Sequence, residues 1–456
     1  MQEFDAIVIG AGQAGSPLSH KLADRGWKVA LVEREHLGGS CINYGCTPTK
    51  KMIASARVAH TVHKAAEYGV HTSQVRVDLP AVVALKDELV RQWREGQEER
   101  AMERPNIRLY RGEASFSGPH CVQVNGDELH SSSIFINTGT SPAVPDLPGI
   151  QEVPYLTSRT ILDLRELPTH LLVLGGSYVG LEFGQMFCRF GSQVTIVETN
   201  GQIVPYEDPE IAQELQSTLE AEGMHFLCSS QASKVERQGD GQLAITLESS
   251  NGSPPKRLTG SHLLLAAGRV PNTQALNLTA AGIREVNGYI PTDGYLHTNV
   301  PGIYALGDVK GGPAFTHISY NDFQVIYHNL FNEEKRSIDG RLVPYALYTD
   351  PELGRVGMSE VQARKAGYEV KIGKIPMSYV ARAVERGQTR GMMKVVVDAQ
   401  TDRILGAAVL SAEGGELVQT LMTLMLVDAP YTVFQKAIFI HPTLSEGFFS
   451  LIEQVK

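Results

Sequence analysis

Cys41 and Cys46 stand in the run Gly38-Gly-Ser-Cys-Ile-Asn-Tyr-Gly-Cys-Thr-Pro-Thr-Lys50, with four residues between them. A disulfide between them would close too small a loop to constrain the unfolded chain usefully. Cysteine pairs that hold zinc more often have two intervening residues, and no second Cys or His pair of matching type follows. Reversible oxidation to a disulfide is the chemistry that this spacing favours. A thiol near a helix N-terminus is stabilised as the thiolate. Cys46, just ahead of the helix-like run from Thr49, is the candidate for that charge, and Cys41 is then the sulfur that exchanges with a substrate. Dithiol exchange also needs a group that titrates near neutrality, which a histidine oriented by a carboxylate supplies. His441 and Glu446 in Ile440-His-Pro-Thr-Leu-Ser-Glu446 are the candidates, to be brought to the cysteines by tertiary or intermolecular contact.

Two segments that share one design must position these groups: strand, glycine turn, helix, return strand, acid. The first runs from Phe4 through Gly10, Gly12 and Gly15 to Glu33; the second runs from Leu171 through Gly175, Ser177 and Gly180 to Glu198. In both, the acid follows the last glycine by 18 residues (33 minus 15; 198 minus 180), room for one helix and one strand. The glycines permit a tight turn and let backbone N–H groups approach a pyrophosphate, and the acid accepts hydrogen bonds from a ribose. Ser177 stands where the middle glycine usually sits and is small enough for close approach. Two such units imply two dinucleotides, one held and one exchanging, which is the layout of a flavoprotein with FAD fed by nicotinamide. The stretch Val300 to Asp308 delivers the Asp308 carboxylate from an apolar strand into a glycine turn, suited to a polar part of the flavin dinucleotide. The cysteine run follows the first unit and is expected beside the isoalloxazine. There Lys50 is suited to stabilise negative charge on reduced flavin, with Glu182 as its partner. Glu198 should repel a 2′-phosphate, and Thr199-Asn-Gly-Gln202 supplies no arginine to bind one, so NADH is expected over NADPH.

A chain of 456 residues with 42% hydrophobic content has room for three domains. Pro-rich punctuation from Ser141 to Pro148 marks the exit from the first lobe. Residues 1–148 and 266–335 are expected to form a discontinuous FAD domain, and 149–265 an NAD(P) domain. Residues 336–456 should form a third domain, with strand-like runs Met392 to Val397 and Ile404 to Leu410 before a helix-like Gly415 to Val427. The formal net charge of −9 argues against nucleic acid or an anionic membrane as a partner. No apolar stretch is long enough to span a bilayer, since even Leu417 to Leu426 is broken by polar residues. The strand-like run from Phe4 leaves no room for a signal peptide, so a cytoplasmic location is expected. Cys121, Cys188 and Cys228 read as isolated buried residues serving as small core hydrophobes. The segment His60 to His71, with His63, reads as a solvated helix face, and no metal site is expected.

Together these residues resemble the class I pyridine nucleotide-disulfide oxidoreductases over essentially the whole chain, and the cysteine motif is the most specific part. The resemblance implies an α/β fold: two Rossmann-like domains with parallel sheets, for FAD and NAD(P), and a C-terminal α+β dimerisation domain. It implies Cys41 as the interchange thiol, Cys46 as the flavin-facing thiol, and Lys50 with Glu182 as the pair beside flavin N5. Tyr178 matches a tyrosine that gates the nicotinamide pocket. Ser40, Ala114, Asp308 and Thr316 fall at FAD contacts, and Gly268 falls on the NAD side. In that family the His-Pro-Thr-x-x-Glu segment completes the active site of the other subunit, so His441 and Glu446 imply a homodimer with shared active sites. Thr47-Pro-Thr49, and Tyr44 in place of the usual valine, look more like mercuric reductases than glutathione reductases. The lack of an N-terminal metal-binding domain and of vicinal C-terminal cysteines points the other way. The retained His441 and Glu446 favour thiol chemistry, as in dihydrolipoamide dehydrogenase. The activity expected is transfer from NADH through FAD and the cysteine pair to a small-molecule or protein disulfide or a soft oxidant, akin to flavoproteins of reactive-chlorine resistance. The alternatives are reduction of Hg(II) or Cu(II) by the same cysteines, and a dihydrolipoamide dehydrogenase subunit of a 2-oxo acid dehydrogenase complex.

Overall fold

A computed structural model describes residues 1–73, 75–239, 241–249 and 254–456. The chain forms two compact units. One comprises Met1–Lys51, Ala81–Ala143 and Gly268–Arg341; the other comprises Met52–Pro80, Val144–Ala267 and Leu342–Lys456.

The first unit is built on five parallel strands, in the order Ile303–Ala305, Ile134–Ile136, Ala6–Ile9, Val29–Glu33, Ile107–Arg111. Its central strands are apolar at almost every position because both faces of the sheet are covered. Successive side chains point to opposite faces. Ile7 and Ile9 enter a core with Phe116 and Val122, and Ala6 and Val8 enter another with Leu18 and Leu22 of the Gly15–Asp24 helix and Phe323 of the Thr316–Phe331 helix. A second sheet, Gln2–Glu3, Asp127–His130, Cys121–Val124 and Ala114–Gly118, supplies the Phe116 and Val122 side.

The second unit contains four parallel strands in the order His225–Leu227, Gln193–Val197, His170–Leu174, His262–Leu265. A three-stranded antiparallel sheet, Ser230–Arg237, Leu243–Ser249 and Lys256–Gly260, shares its core. The C-terminal part is a five-stranded antiparallel sheet in the order Tyr345–Leu347, Glu352–Gly357, Ile404–Ser411, Met392–Asp398, Val370–Pro376. The Gly414–Leu426 helix packs on it through Leu417, Val418 and Leu421. The fold class is the α/β arrangement expected, with two parallel nucleotide-type sheets and a C-terminal antiparallel sheet with helices. Among the described residues no helix is long and apolar enough to cross a membrane.

Candidate active site

Both glycine turns are built by steric necessity. Gly10 has φ +99°, and a Cβ there would run into the Asn137 carbonyl; a Cβ on Gly15 would run into the carbonyl of Gly10. Gly175 (φ +116°) and Gly180 repeat this arrangement against Ala266 and against Gly175 itself. The acids close the turns in the same way. Glu33 Oε2 accepts the Ala11 N–H at 2.9 Å, and Glu198 Oε2 accepts the Gly176 N–H at 2.7 Å. The helices that follow, Gly15–Asp24 and Tyr178–Phe190, receive no capping bond from their own N-cap residues, Ala14 and Ser177, and their positive dipole ends face the turns. Gly12 and Gly39 pass so closely that a Cβ on Gly39 would come 2.7 Å from the Gly12 Cα. Thr138 Oγ1, next to the Gly10 contact, is buried without a hydrogen-bond partner. A glycine-lined turn, a positive helix end and an unused buried hydroxyl fit the pyrophosphate and polar groups of FAD.

Cys41 lies on the short helix Gly39–Asn43, and Cys46 is the first residue of the 18-residue helix Cys46–His63. The helix was expected from Thr49. It starts three residues earlier because Pro48 falls in the first turn, where the missing N–H has no intrahelical acceptor to lose. The loop between the cysteines is tight, since a Cβ on Gly45 would lie 2.9 Å from the Ser40 carbonyl oxygen. Asn43 locks it, donating to the carbonyls of Leu37 and Gly39 at 3.0 and 2.9 Å and accepting from Arg94 Nε at 2.9 Å. Cys46 Sγ lies 3.5 Å from Thr316 Oγ1. Hydrogen bonding to Cys46, then burial, hold the Cys41 thiol well above the ordinary range, while the Thr316 hydroxyl and the Lys50 charge act in the opposite sense. The proton is thereby kept on Cys41, and negative charge is favoured on the sulfur at the helix end.

The other expected residues are placed as follows. Asp308, in the turn Gly307–Lys310, accepts from Thr140 Oγ1 at 3.0 Å, and Arg269 Nε donates to that hydroxyl at 2.7 Å. Ser40 is exposed, and Ala114 is buried at the start of its strand. Gly268 (φ +119°) belongs to the first unit, where its carbonyl accepts the Ala143 N–H at 3.0 Å. In the second unit Ser177 precedes the helix in extended conformation, Tyr178 opens it, and Glu182 is buried and accepts the Tyr348 N–H at 3.0 Å. His441 Nδ1 and Glu446 Oε2 are 2.9 Å apart, with the histidine side chain 71% exposed.

Two expectations need adjustment. Cys121, Cys188 and Cys228 are half-buried, not fully buried, and burial holds each thiol above its ordinary value, Cys188 at about 11. His63 is exposed as expected, with its Nδ1 2.8 Å from the Ala59 carbonyl, whereas His60 is only partly exposed and stands 3.8 Å from Glu222. His71 lies beyond the helix, which ends at His63.

Sequence reasoning missed Asn137, whose Oδ1 accepts the Gly15 N–H and whose Nδ2 donates to the Leu306 carbonyl, both at 2.9 Å. It also missed Asn200, which donates to Glu198 Oε1 from its backbone and side chain at 2.8 and 2.6 Å. The available signal was an asparagine ending an apolar run or standing two residues after Glu198, which is too common to single out.

The family model for pyridine nucleotide-disulphide oxidoreductases matches residues 4–322, and the model for the family's dimerisation domain matches residues 343–451. The chain is 36% identical over 465 positions to the probable pyridine nucleotide-disulfide oxidoreductase RclA of Escherichia coli (strain K12), covering 100% of both chains. It is 37% identical over 417 positions to a mercuric reductase of Staphylococcus aureus, covering 91% of this chain and 76% of that one. Among solved structures, it is similar to the Cu(II) complex of the HOCl-induced flavoprotein disulfide reductase RclA from Escherichia coli, with a TM-score of 0.91, 35% identity and 100% coverage of both chains. With the glycine turns, the cysteine pair and these matches in agreement from end to end, the chain belongs to the pyridine nucleotide-disulphide oxidoreductase family.

Proposed function

We propose that this chain is an FAD-dependent NADH:disulfide oxidoreductase with Cys41 and Cys46 as its redox-active pair. One observation carries the reading: Cys46 opens an 18-residue helix, with the Thr316 hydroxyl beside its sulfur and Cys41 hydrogen-bonded to it. FAD and NAD(P)H are the cofactors of the family to which the chain belongs. Bound FAD supplies the two-electron carrier between nicotinamide and dithiol. In this reading Gly10, Gly12, Gly15 and Glu33 hold its dinucleotide part, and Ser40, Ala114, Asp308 and Thr316 contact it. Gly175, Ser177, Gly180 and Glu198 receive the nicotinamide dinucleotide, and Tyr178 and Gly268 are assigned to the same cofactor. Lys50 and Glu182 are the charged residues assigned to the hydride path. The charge of Glu198 supports NADH over NADPH. The domain division is proposed as 1–148 with 266–335, 149–265, and 336–456.

The substrate steps belong to the side chains. The Cys41 sulfur attacks one sulfur of the substrate disulfide; that S–S bond breaks, one substrate thiol leaves with a proton, and a mixed disulfide remains. The Cys46 sulfur attacks Cys41, the second thiol leaves, and the Cys41–Cys46 disulfide closes. His441, oriented by Glu446, moves the protons. Its exposure supports service in the partner subunit's site, and hence a homodimer built through the dimerisation domain. A dithiol that cycles through its reduced form suits a reducing compartment, which supports the cytoplasm.

The test is NADH oxidation against a panel of disulfides and soft oxidants. Disulfide turnover is expected in the wild type and lost in Cys41→Ser; turnover that survives the substitution contradicts the proposal. A second reading is Hg(II) or Cu(II) reduction, supported by two soft sulfur ligands and by relatives described as a mercuric reductase and a Cu(II) complex. Side-by-side turnover with a disulfide and with a metal salt separates the two.

A further inference from the structure

The Tyr178–Phe190 helix carries three buried polar side chains at i, i+3 and i+7, Glu182, Gln185 and Arg189, so they share one face. All three bind one short stretch, residues 348–350, between the strands Tyr345–Leu347 and Glu352–Gly357. The Tyr348 N–H donates to Glu182 Oε1 at 3.0 Å. The Asp350 N–H donates to Gln185 Oε1 at 2.8 Å, and Gln185 Nε2 donates back to the Asp350 carbonyl at 2.8 Å, so the side-chain amide mimics a rung of a sheet. Arg189 Nη1 donates to Asp350 Oδ2 at 2.9 Å, while its Nε and Nη2 form a bidentate pair with Glu222 at 2.8 and 2.7 Å.

Apolar side chains would hold a helix to a loop with no polar desolvation to offset. A fully bonded polar stripe does something that apolar packing does not: it fixes register, because a slip of one residue breaks every bond at once. The register sets the Tyr348 N–H against Glu182 Oε1, and with it the direction in which that carboxylate presents its charge. Gln185 makes two of the bonds and lies outside the groups proposed to touch cofactor. The loop falls in the dimerisation-domain match and the helix in the nucleotide-binding match, so the clamp joins two functional segments within one compact unit.

We infer that Gln185 is a positioning residue for hydride entry: by clamping the Asp350 peptide it holds the Tyr348 amide on Glu182 and fixes that carboxylate for its part in flavin reduction. The inference rests on the proposed role of Glu182.

The test uses the FAD-loaded protein as wild type, Glu182→Gln, Gln185→Leu and Gln185→Glu. The last keeps the acceptor for the Asp350 N–H but loses the donor to the Asp350 carbonyl and to Glu222 Oε2 (3.2 Å) and sets a carboxylate against Glu222, so it loosens the clamp by a different route should Gln185→Leu fail to fold. Flavin reduction by NADH, reoxidation of the pre-reduced protein by a disulfide, and hydrogen exchange of the Tyr348 amide are measured. Flavin reduction is expected to slow by about tenfold or more in Gln185→Leu, with faster Tyr348 exchange and reoxidation within about twofold of wild type. Gln185→Glu should fall between. Equal losses in both half-reactions, or normal flavin reduction with an unprotected Tyr348 amide, overturn the inference. Normal flavin reduction in Glu182→Gln removes the underlying reading of Glu182, whereas a slow Glu182→Gln beside a normal Gln185→Leu removes the positioning role alone.

Discussion

Cys46 Sγ and Thr316 Oγ1 lie 3.5 Å apart, and each belongs to the first residue of a long helix, of 18 and 16 residues. Two positive helix ends and a hydroxyl therefore converge on one sulfur, an arrangement that favours the thiolate, to which that hydroxyl can donate. Removing the donor in Thr316→Val should raise the pH at which the reduced protein forms its thiolate. A hydrogen bond to a charged group contributes about 1.5–3 kcal/mol, so the rise should be about 1–2 pH units. A pH titration of the reduced protein's long-wavelength absorbance reads it; an unchanged midpoint contradicts the hydroxyl's role.

His441 and Glu446 should behave as a unit. Loss of a positioned acid–base group costs on the order of 10²–10⁴-fold in rate. His441→Gln should fall in that range for disulfide turnover, with flavin reduction by NADH close to wild type. Glu446→Gln, which leaves the ring without its charged partner at 2.9 Å, should fall by less. Stopped-flow measurement of the two half-reactions checks the split.

Gly15→Ala tests the steric argument for the first turn. Its Cβ would overlap the Gly10 carbonyl, and overpacking of this kind costs about 1–3 kcal/mol. The variant should retain less FAD and unfold at lower temperature, whereas Ala at exposed Gly26 cannot meet any atom within 4 Å, although its φ of +87° carries a smaller backbone penalty. Bound flavin per chain and thermal unfolding compare the two.

Much of this site was legible in the sequence because its steric demands are local. A turn that admits no Cβ must use glycine, so Gly10, Gly15, Gly175 and Gly180 announce themselves, and 18 residues of helix and strand place Glu33 and Glu198 at their turns. The cysteines were legible for the same reason, since their spacing and the helix start are set by adjacent residues. Asn137, Thr316 and the Gln185 clamp reach partners far away in the chain, and nothing near them in sequence marks the partner. The helix starts at Cys46, three residues before the expected Thr49, because a proline in a first turn continues a helix without loss.

His20 should make the protein acid-sensitive. Its Nε2 is buried without a hydrogen-bond partner, and burial, then the Arg104 charge, lower its pKa to about 4. The folded value lies below the unfolded value near 6.5, so between those limits the unfolded chain binds the extra proton. The stability is present above pH 6.5 and is lost as the pH falls towards 4. Allowing for partial solvent screening, the loss should be about 2 kcal/mol. His20→Leu should lose less stability than wild type between pH 6.5 and 4 in denaturant unfolding, and parallel losses would exclude His20 as the cause.

Anaerobic titration with NADH, followed by absorbance, reaches the relay most directly. A long-wavelength band from a thiolate against oxidised flavin should grow in the wild type, persist in Cys41→Ser and vanish in Cys46→Ser. A wild type with both cysteines intact that shows no such band, or a band indifferent to Cys46→Ser, would contradict the account.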